Sequence, residues 1–544
     1  MVSKFVLKYP RAFLALLYSI VGVIIYSQVI LDGGFVFDDF EYIVGNPILS
    51  DLSTLINNFS DPRQIGYLTF ALNFMFGGSA PIGYHFVNVI IHIVNALLVF
   101  ELTGSLLQFA GWQRERDDAG ISFLLPACVG LVFLVHPLQT QAVSYLTQRF
   151  TSLATLFYLA SVILYLAARR AMIAGQAGTH TPSSYWLSLV CAMIAMKVKE
   201  ISFTLPLTII VLEALLIGRR QERRRSLYLI VPFIATMIII PLAIFAPDWG
   251  LIDRGVGIAE TTRVLKIEDL ATRSVIEYFA TQMRVLVIYV RLVFFPYPQM
   301  AVYDLAASRS LFELWAVLSL LFHLSMAAVA VSLWIRSRRE GPSTAPLLKL
   351  MALGIGWFYL TASVESSVLP IKDLIFEHRA YLPGIGIILA TLTAIALVLT
   401  TGTVSVRRPV LWMTGLVVAL SVILGSAAFA RNRVWLNELD FWNDVVAKIP
   451  NKAIGYNNRG NAFAQKGQLD LALQDINRTI DFFEKYIGQE LTWENADYTF
   501  DNMAKTYMNR GKLYQRLGQQ DRANADFDRA RAMTMKSIGF EGTR

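Results

Sequence analysis

The chain has 544 residues, of which 55% are hydrophobic and only 16% are charged, and its formal net charge is +8. Soluble globular proteins carry about 25% charged residues, so this composition excludes an ordinary soluble enzyme and predicts an integral membrane protein. The basic residues cluster between apolar segments, which indicates membrane topology and argues against a nucleic-acid partner.

Apolar segments of about the length that crosses a bilayer recur through residues 1–430. They lie near 12–31, 84–108, 121–136, 150–168, 184–200, 201–218, 226–246, 311–335, 350–369, 381–405 and 409–430. Because only helices and closed barrels cross a bilayer, these segments predict an all-α, polytopic membrane protein. The number of transmembrane helices is expected to be about eleven.

Clustered basic residues in alternate connections predict the orientation of these helices. The clusters are "WQRERDD" (112–118), "ARR" (168–170), "GRRQERRR" (218–225), "RSRRE" (336–340) and "VRRP" (406–409). Short Lys/Arg-rich loops stay cytoplasmic, so the N-terminus is predicted inside and the large loops 32–83 and 247–310 outside. The apolar segment 275–298 contains Arg284 and Arg291, and it is predicted to lie at or re-enter the outer face.

Ionisable residues at the span ends gather on the predicted outer side. They are Asp38–Asp39 within "FVFDDFEYIVGNP", His136–Arg149, Lys197–Glu200, Tyr303–Asp304 and Glu377–Arg379. Ionisable groups near membrane depth are costly unless they are paired or face a wet cavity. Their shared side predicts one polar site at the outer membrane boundary.

The chain becomes polar and helical from Arg431, and residues 431–544 are predicted to form an extracytoplasmic helical-repeat domain. Segments 453–482 and 504–533 both show the aromatic, Gly and Ala offsets of a tetratricopeptide repeat. Gly460 and Gly511 are 51 residues apart, against about 34 in a regular repeat, so an insertion near 484–500 is expected. Such arrays commonly bind peptides or proteins; a structural cap over the site is the alternative.

The motifs resemble those of multi-span glycosyltransferases of the C superfamily. The resemblance rests on the Asp pair followed by "NP" and on "HPLQTQAVSYLTQR" (136–149), "KVKE" (197–200), "RLVFFPYPQMAVYD" (291–304) and "EHRAYLP" (377–383). Together with the repeat tail they are most similar to the transmembrane and tetratricopeptide-repeat O-mannosyltransferases and their bacterial relatives. Two departures are visible. "QRFTSL" (148–153) lacks the acid expected soon after the Arg, and His378 separates the acid and base of "EHR".

The resemblance implies transfer of a sugar from a polyprenyl-phosphate carrier to an acceptor hydroxyl, with inversion. A hydroxyl needs a carboxylate within reach to take its proton, and Asp38 or Asp39 can serve, with Asp39 favoured. The alternative is that the pair caps the helix that starts at "FEYIV". Cations stabilise the departing lipid phosphate, and the candidates are Arg149, Lys199 and Arg379. The supporting or substrate-binding candidates are His136, Glu200, Tyr303, Asp304, Glu377 and His378.

No cofactor is predicted, and the reaction is expected to be metal-independent; use of a divalent metal is the alternative, because the related enzymes divide on this point. His85 and His92 share a helical face without a third ligand, which favours a packed or hydrogen-bonded role over metal binding. No Gly-rich phosphate loop follows a strand, so a lipid-linked donor reached from the bilayer is favoured over a nucleotide sugar.

Three functions remain open from the sequence. The first is an enzyme of a bacterial inner membrane that O-glycosylates Ser/Thr of periplasmic proteins, with the repeat domain recruiting the acceptor. The second keeps this chemistry but transfers the sugar to a lipid or a cell-envelope polysaccharide. The third is a non-enzymatic scaffold or a transporter, although a transporter should place polar groups at the midplane of inverted repeats.

Overall fold

The computed structural model describes residues 9–57, 61–112, 120–176, 180–217, 223–245, 274–367, 370–371, 373–401, 409–489 and 496–541. No strand occurs in these ranges, so the predicted all-α fold is confirmed. The chain divides into two compact units. The membrane unit comprises Met1–Gln299 and Leu305–Arg433, and the C-terminal unit comprises Met300–Asp304 and Val434–Arg544.

The membrane unit is built from sixteen α-helices in the described ranges. They are α1 Pro10–Asp32, α2 Leu52–Asn57, α3 Gln64–Gly77, α4 Pro81–Phe109, α5 Ile121–Val135, α6 Thr140–Ser144, α7 Arg149–Ile173, α8 Ser183–Met196, α9 Leu205–Leu212, α10 Arg223–Thr236, α11 Ile239–Phe245, α12 Val275–Phe294, α13 Leu314–Ser337, α14 Ala345–Ala362, α15 Tyr381–Thr401 and α16 Pro409–Arg431. Short 3₁₀ or π turns extend several of them, at Leu146–Gln148, Glu200–Thr204, Glu213–Ile217 and Glu377–Ala380.

Nine helical segments of the described ranges are long and apolar enough to cross a membrane. They are Pro10–Asp32, Pro81–Phe109, Leu146–Ile173, Glu200–Ile217, Ser226–Ile244, Leu314–Ser337, Ala345–Ala362, Glu377–Thr400 and Pro409–Trp435. A tenth arises if α5 and the segment Pro137–Ser144, bent by 53°, count as one span. The chain is therefore a polytopic membrane protein.

The predicted span 184–200 is the one that is not among these candidates. It corresponds to the apolar helix α8, which has 14 residues. At 1.5 Å per residue it is about 21 Å long, shorter than the ~30 Å hydrocarbon core. The segment predicted not to cross, 275–298, forms α12 and is not among the candidate spans. The predicted orientation of the helices stays a prediction.

A small apolar core fixes the first predicted loop against the start of α7. Ile43, Leu49, Tyr67 and Phe70 pack with Phe150 in this core. The packing is tight at Gly66, where an added Cβ would lie 2.3 Å from the Phe150 ring. The acid pair therefore sits on a fixed platform rather than on a free loop.

A fully buried ion pair lies near the end of α7 remote from this platform. Arg169 donates from Nε to Oε1 of Glu213, the Tyr165 hydroxyl donates to the same oxygen at 2.7 Å, and both charged side chains are almost inaccessible. The sequence places Arg169 in a cytoplasmic loop, whereas the structure places it within the helix. The prediction that ionisable groups gather on one side was therefore incomplete.

Replacing Glu213 with Gln is expected to lower the free energy of unfolding by about 3–5 kcal/mol, because it leaves the Arg169 charge buried without its partner. The measurement is denaturant unfolding of the detergent-solubilised protein. The matched control is Glu340→Gln, which removes the acid of an exposed pair with an Nε–Oε1 distance of 3.0 Å. Exposed pairs contribute about 0–1 kcal/mol, so equal effects of the two changes would contradict the prediction.

The C-terminal unit contains five α-helices in the described ranges. They are α17 Glu438–Lys448, α18 Ala453–Gln465, α19 Leu469–Gln489, α20 Ala496–Arg516 and α21 Gln520–Glu541. The helix α19 continues well past residue 484, so part of the expected insertion lengthens this helix. Residues 490–495 of that insertion lie outside the described residues.

An arginine ties three successive helices together at two equivalent places in the C-terminal unit. Arg459 of α18 binds Asp475 of α19 through Nε and Nη2 and Asn443 of α17 through Nη1. Arg510 of α20 repeats this pattern with Asp526 of α21 and Asn477 of α19. The recurrence supports an internal repeat, while the tetratricopeptide assignment stays a prediction.

Candidate active site

The acid pair lies in a tight turn that follows α1. Phe37 has a φ of 53°, in the left-handed region that bulky residues rarely adopt. Asp39 then starts a short π-helical turn, Phe40–Val44. This turn directs the two neighbouring acids into different surroundings. Strained backbone of this kind is common at functional sites.

Asp39 is fully buried and held by three donors. Its Oδ1 accepts from the backbone N and the hydroxyl of Thr147, and its Oδ2 accepts from Val36 N at 3.0 Å. Its side chain makes no capping bond to the following turn, so the helix-cap alternative does not hold for it. Burial raises the pKa of Asp39 to about 7 despite these donors. The carboxylate connects two segments and has little access to a substrate.

Asp38 is partly exposed and differs from its neighbour. Burial, the largest influence, raises the pKa of Asp38 to about 6. The nearby Tyr145 hydroxyl lowers this pKa, and the charges of Asp373 and Glu41 raise it further. A partly exposed carboxylate with a pKa close to neutral suits a general base. Asp38 therefore has the access that a general base needs, whereas the predicted preference is for Asp39.

Two of the three predicted phosphate-binding cations converge on one carboxylate. Lys199 Nζ lies 3.2 Å from Oε1 of Glu365, and Arg379 Nε lies 3.8 Å from the same oxygen. Lys199 also donates to the Thr151 hydroxyl at 2.9 Å. Thr151 lies in "QRFTSL", the segment that lacks the acid expected soon after the Arg, and the carboxylate beside Lys199 is that of Glu365.

The cation cluster contains buried nitrogen atoms without a hydrogen-bond partner. Arg379 is 8% exposed, and its Nε, a donor, has no hydrogen-bond partner among the described residues. The Nδ1 atom of the adjacent His378, which donates or accepts according to the ring tautomer, is also buried without one. Unsatisfied buried donors are costly, and around two positive charges they indicate a place for an anion.

A second pair of charges borders the cluster. Arg63 contacts Glu200 through Nε and Nη2, at 3.3 and 3.4 Å. Lys197 Nζ donates to the backbone oxygen of Asp61 at 2.7 Å, and burial raises the pKa of the Asp61 carboxyl to about 6. The predicted residue Glu200 therefore lies within the site as the partner of Arg63.

Asp373 connects the acids to the cations. Its carboxylate raises the pKa of Asp38. Its backbone oxygen accepts a hydrogen bond from Nη1 of Arg379 at 2.9 Å. His378 interacts electrostatically with the positive charges of Arg63, Lys199 and Arg379. The site is thus continuous from the partly exposed acid to the cations, and all of it lies in the membrane unit.

The side chains of two predicted site residues, Arg149 and His136, are occupied by hydrogen bonds within the protein. Arg149 is fully buried, and its guanidinium binds neutral acceptors on Asn88, Asn73, Thr69 and Tyr84. Its predicted phosphate contact would require these bonds to break, so the geometry does not support that role.

His136 stabilises the bend between α5 and the segment that follows it. Its Nδ1 accepts from Leu138 N at 3.1 Å, and its Nε2 lies 2.9 Å from the backbone oxygen of Val293. Both ring nitrogens are engaged, so the predicted contact of His136 with a substrate is not supported.

The remaining predicted residues divide between the two units. Glu377 is buried and accepts from Gln299 at 2.8 Å, next to the site but directed into the protein. Tyr303 and Asp304 belong to the C-terminal unit, where Asp304 pairs with Lys452 at 3.0 Å. The structure therefore does not bring Tyr303 and Asp304 into the cluster described above.

Sequence reasoning missed four residues of this site, namely Asp61, Arg63, Glu365 and Asp373. Arg63 and Asp61 lie in the same predicted outer loop as the acid pair, so their charge and position were a usable signal. Glu365 is an acid inside a predicted apolar span, 350–369, which is itself a signal for function. Asp373 carries no comparable signal.

The histidines of α4 have packing roles. His92 lies 2.7 Å from the Tyr381 hydroxyl and 3.0 Å from the backbone oxygen of Leu134, and His85 lies 3.3 Å from that of Gly34. Within the described ranges no three His, Cys, Asp or Glu side chains are grouped to hold a metal ion. Metal independence of the reaction stays a prediction.

Comparison with known proteins supports the resemblance seen in the motifs. The chain is 34% identical over 209 residues to the human protein O-mannosyl-transferase TMTC4, a match covering 35% of this chain and 27% of that protein. It is 31% identical over 189 residues to Drosophila melanogaster Tmtc1 and 28% identical over 214 residues to human TMTC1, each named as a protein O-mannosyl-transferase. These two matches cover 32% and 36% of this chain.

The chain spans only about a quarter of the length of these relatives, 27%, 20% and 23% respectively. No family model matches the chain. No solved structure matches it either.

Proposed function

We propose that the chain is an integral-membrane glycosyltransferase that moves a sugar from a polyprenyl-phosphate donor to an acceptor hydroxyl, with inversion. One observation carries the proposal: a partly exposed carboxylate, Asp38, lies in one polar site with two cations, Lys199 and Arg379, and the Nε of Arg379 has no hydrogen-bond partner. This arrangement supplies a base for the acceptor and a positive charge for the leaving group.

Asp38 takes the proton of the acceptor hydroxyl as its oxygen bonds to the anomeric carbon. The bond from that carbon to the phosphate oxygen breaks on the opposite side, and its electron pair leaves with the lipid phosphate. A single displacement of this kind inverts the anomeric configuration. The acid and the cations are held by different segments, so they can act on opposite sides of the sugar.

Lys199 and Arg379 stabilise the negative charge that develops on the departing phosphate. The Nε of Arg379, which has no hydrogen-bond partner, offers a donor to a phosphate oxygen, and the planar guanidinium suits such contacts. The Nδ1 of His378 offers a second donor when it carries the ring proton. Arg63 adds positive charge at the edge of the site while Glu200 balances it. The donor's polyprenyl chain would remain in the surrounding lipid.

The acceptor is proposed to be Ser or Thr of a protein, and mannose is the first sugar to test, since the relatives are named protein O-mannosyl-transferases. The C-terminal unit is proposed to recruit that protein as a helical repeat. We place the chain in a bacterial inner membrane. The distribution of basic loops predicts that this unit lies on the periplasmic side.

Purified protein given a polyprenyl-phosphate mannose and candidate periplasmic proteins is expected to yield a glycoprotein detectable by mass spectrometry. Transfer is expected to survive chelation with EDTA. The control omits the acceptor protein and analyses the lipid fraction. Mannosylated lipid without glycoprotein would replace the protein acceptor by a lipid one, and donor that stays intact under all conditions would contradict the proposed function.

A further inference from the structure

One carboxylate lies beside both cations of the site. Oε1 of Glu365 is 3.2 Å from Nζ of Lys199 and 3.8 Å from Nε of Arg379. The Glu365 side chain is 12% exposed, and both cations are buried. Charges interact strongly in such surroundings, because little water screens them. The charge of Glu365 should therefore affect how tightly the two cations bind an anion.

Glu365 is held in place through its backbone as well as its side chain. It follows the end of α14 at Ala362, and its backbone oxygen accepts a hydrogen bond from the Tyr278 hydroxyl of α12 at 2.7 Å. Tyr278 is fully buried. The carboxylate therefore stays beside Lys199 and Arg379 unless several contacts break together.

The charges of the cluster can be compared with those of the two lipids that the proposed reaction involves. Lys199 and Arg379 contribute two positive charges and Glu365 one negative charge, which leaves a net charge of +1. The phosphodiester of a polyprenyl-phosphate sugar carries one negative charge. Breaking the bond to the sugar leaves a phosphate monoester, whose charge at neutral pH is about −1.5 to −2. The donor therefore balances the cluster, whereas the product carries excess negative charge.

We propose that Glu365 discriminates between the donor and the product of the reaction by charge. Its carboxylate tolerates the singly charged phosphodiester, repels the more highly charged monoester, and so promotes release of polyprenyl phosphate after transfer. This inference rests on the proposed function, because the monoester is the product only if the sugar leaves a polyprenyl phosphate. Glu365 needs no contact with the sugar or the acceptor for this role.

The test is Glu365→Gln in the full-length protein in detergent micelles. Equilibrium binding of polyprenyl monophosphate and of polyprenyl-phosphate mannose is measured without an acceptor. Because the repulsion scales with the charge of the ligand, the variant is expected to bind the phosphodiester about threefold and the monoester about tenfold more tightly than the wild-type protein. Structural damage would weaken binding of both lipids, so tighter binding separates the proposed role from a structural one.

Glu213→Gln is the matched control, because it also removes the carboxylate of a buried pair, that with Arg169, away from the site. It is expected to change neither affinity of the folded protein. If Glu365→Gln folds poorly because Lys199 loses its partner, the double variant Lys199→Met/Glu365→Gln is compared with Lys199→Met. The double variant is expected to bind the monoester more tightly than the single variant.

The binding measurements distinguish failure of the inference from failure of the proposed function. Equal tightening for both lipids, or unchanged or weaker binding of the monoester, overturns the inference. Selective tightening in a protein that transfers no sugar supports charge discrimination by Glu365 and instead refutes the proposed function. Wild-type protein that binds neither lipid overturns both.

Discussion

Replacement of Asp38 by Asn is expected to lower sugar transfer by about 10²–10⁴-fold, the usual contribution of a general base. The amide keeps the shape of the side chain but cannot accept the hydroxyl proton. Asp38 is partly exposed, so folded yield and donor binding should persist. The measurement is the initial rate of glycoprotein formation beside equilibrium binding of polyprenyl phosphate.

Asp39→Asn is the matched comparison and should behave differently. Its Oδ1 receives both donors of Thr147 and its Oδ2 receives Val36 N, so an amide must place its NH₂ against at least one of these donors. A buried mismatch of this kind costs about 1–3 kcal/mol. The expected result is a lower unfolding temperature. Full stability of Asp39→Asn together with complete loss of transfer would return the role of base to Asp39.

The pH profile of sugar transfer by the wild-type protein provides a further check. A general base acts in its ionised form, and the pKa of Asp38 is about 6, raised mainly by burial. The rate should therefore fall as the pH drops through this value and level off above it. An acid limb at the ordinary pKa of Asp, about 3.9, would contradict the assignment.

Hydropathy and charge clustering predicted most of the helical framework, because helices that cross a bilayer need long apolar runs, which can be recognised in a single sequence. Every predicted apolar segment contains helix. The length of α8 and the bend at His136 were not predicted, because they depend on where a helix ends rather than on its hydropathy.

The different surroundings of the two acids could not be predicted, because the donors that bind Asp39 come from a distant part of the chain. Thr147 lies 108 residues from Asp39 in sequence. The same reason explains Glu365, which joins Lys199 and Arg379 only after folding. A motif also does not reveal whether a guanidinium is already bound to neutral acceptors, as that of Arg149 is.

Replacement of Arg379 by Gln is expected to lower kcat/KM by about 10²–10³-fold, the scale on which loss of one stabilising donor slows reactions that develop an oxyanion. The change removes one of two charges that converge on Glu365 and a buried Nε that lacks an acceptor. Polyprenyl-phosphate binding should weaken as well, because the phosphate is already charged before the reaction. Lys199→Met is expected to act in the same direction.

Arg291→Gln is the matched control for Arg379→Gln. Arg291 is exposed and donates to the backbone oxygen of Tyr297, outside the cation cluster, so its loss should leave transfer nearly unchanged. An equal loss from both variants would point to a general effect of charge at the membrane surface. Donor affinity that is unchanged in Arg379→Gln would contradict a phosphate-binding role.

The Asp38 and Arg379 variants together separate the two halves of the mechanism. Asp38→Asn should impair kcat while the affinity for polyprenyl phosphate stays intact, and Arg379→Gln should impair both quantities. If the acid and the cation act on different bonds of one displacement, each change removes its own stabilisation. The double variant should then be close to the product of the two single losses. A double variant no slower than Asp38→Asn alone would instead show that Arg379 acts only by way of the base.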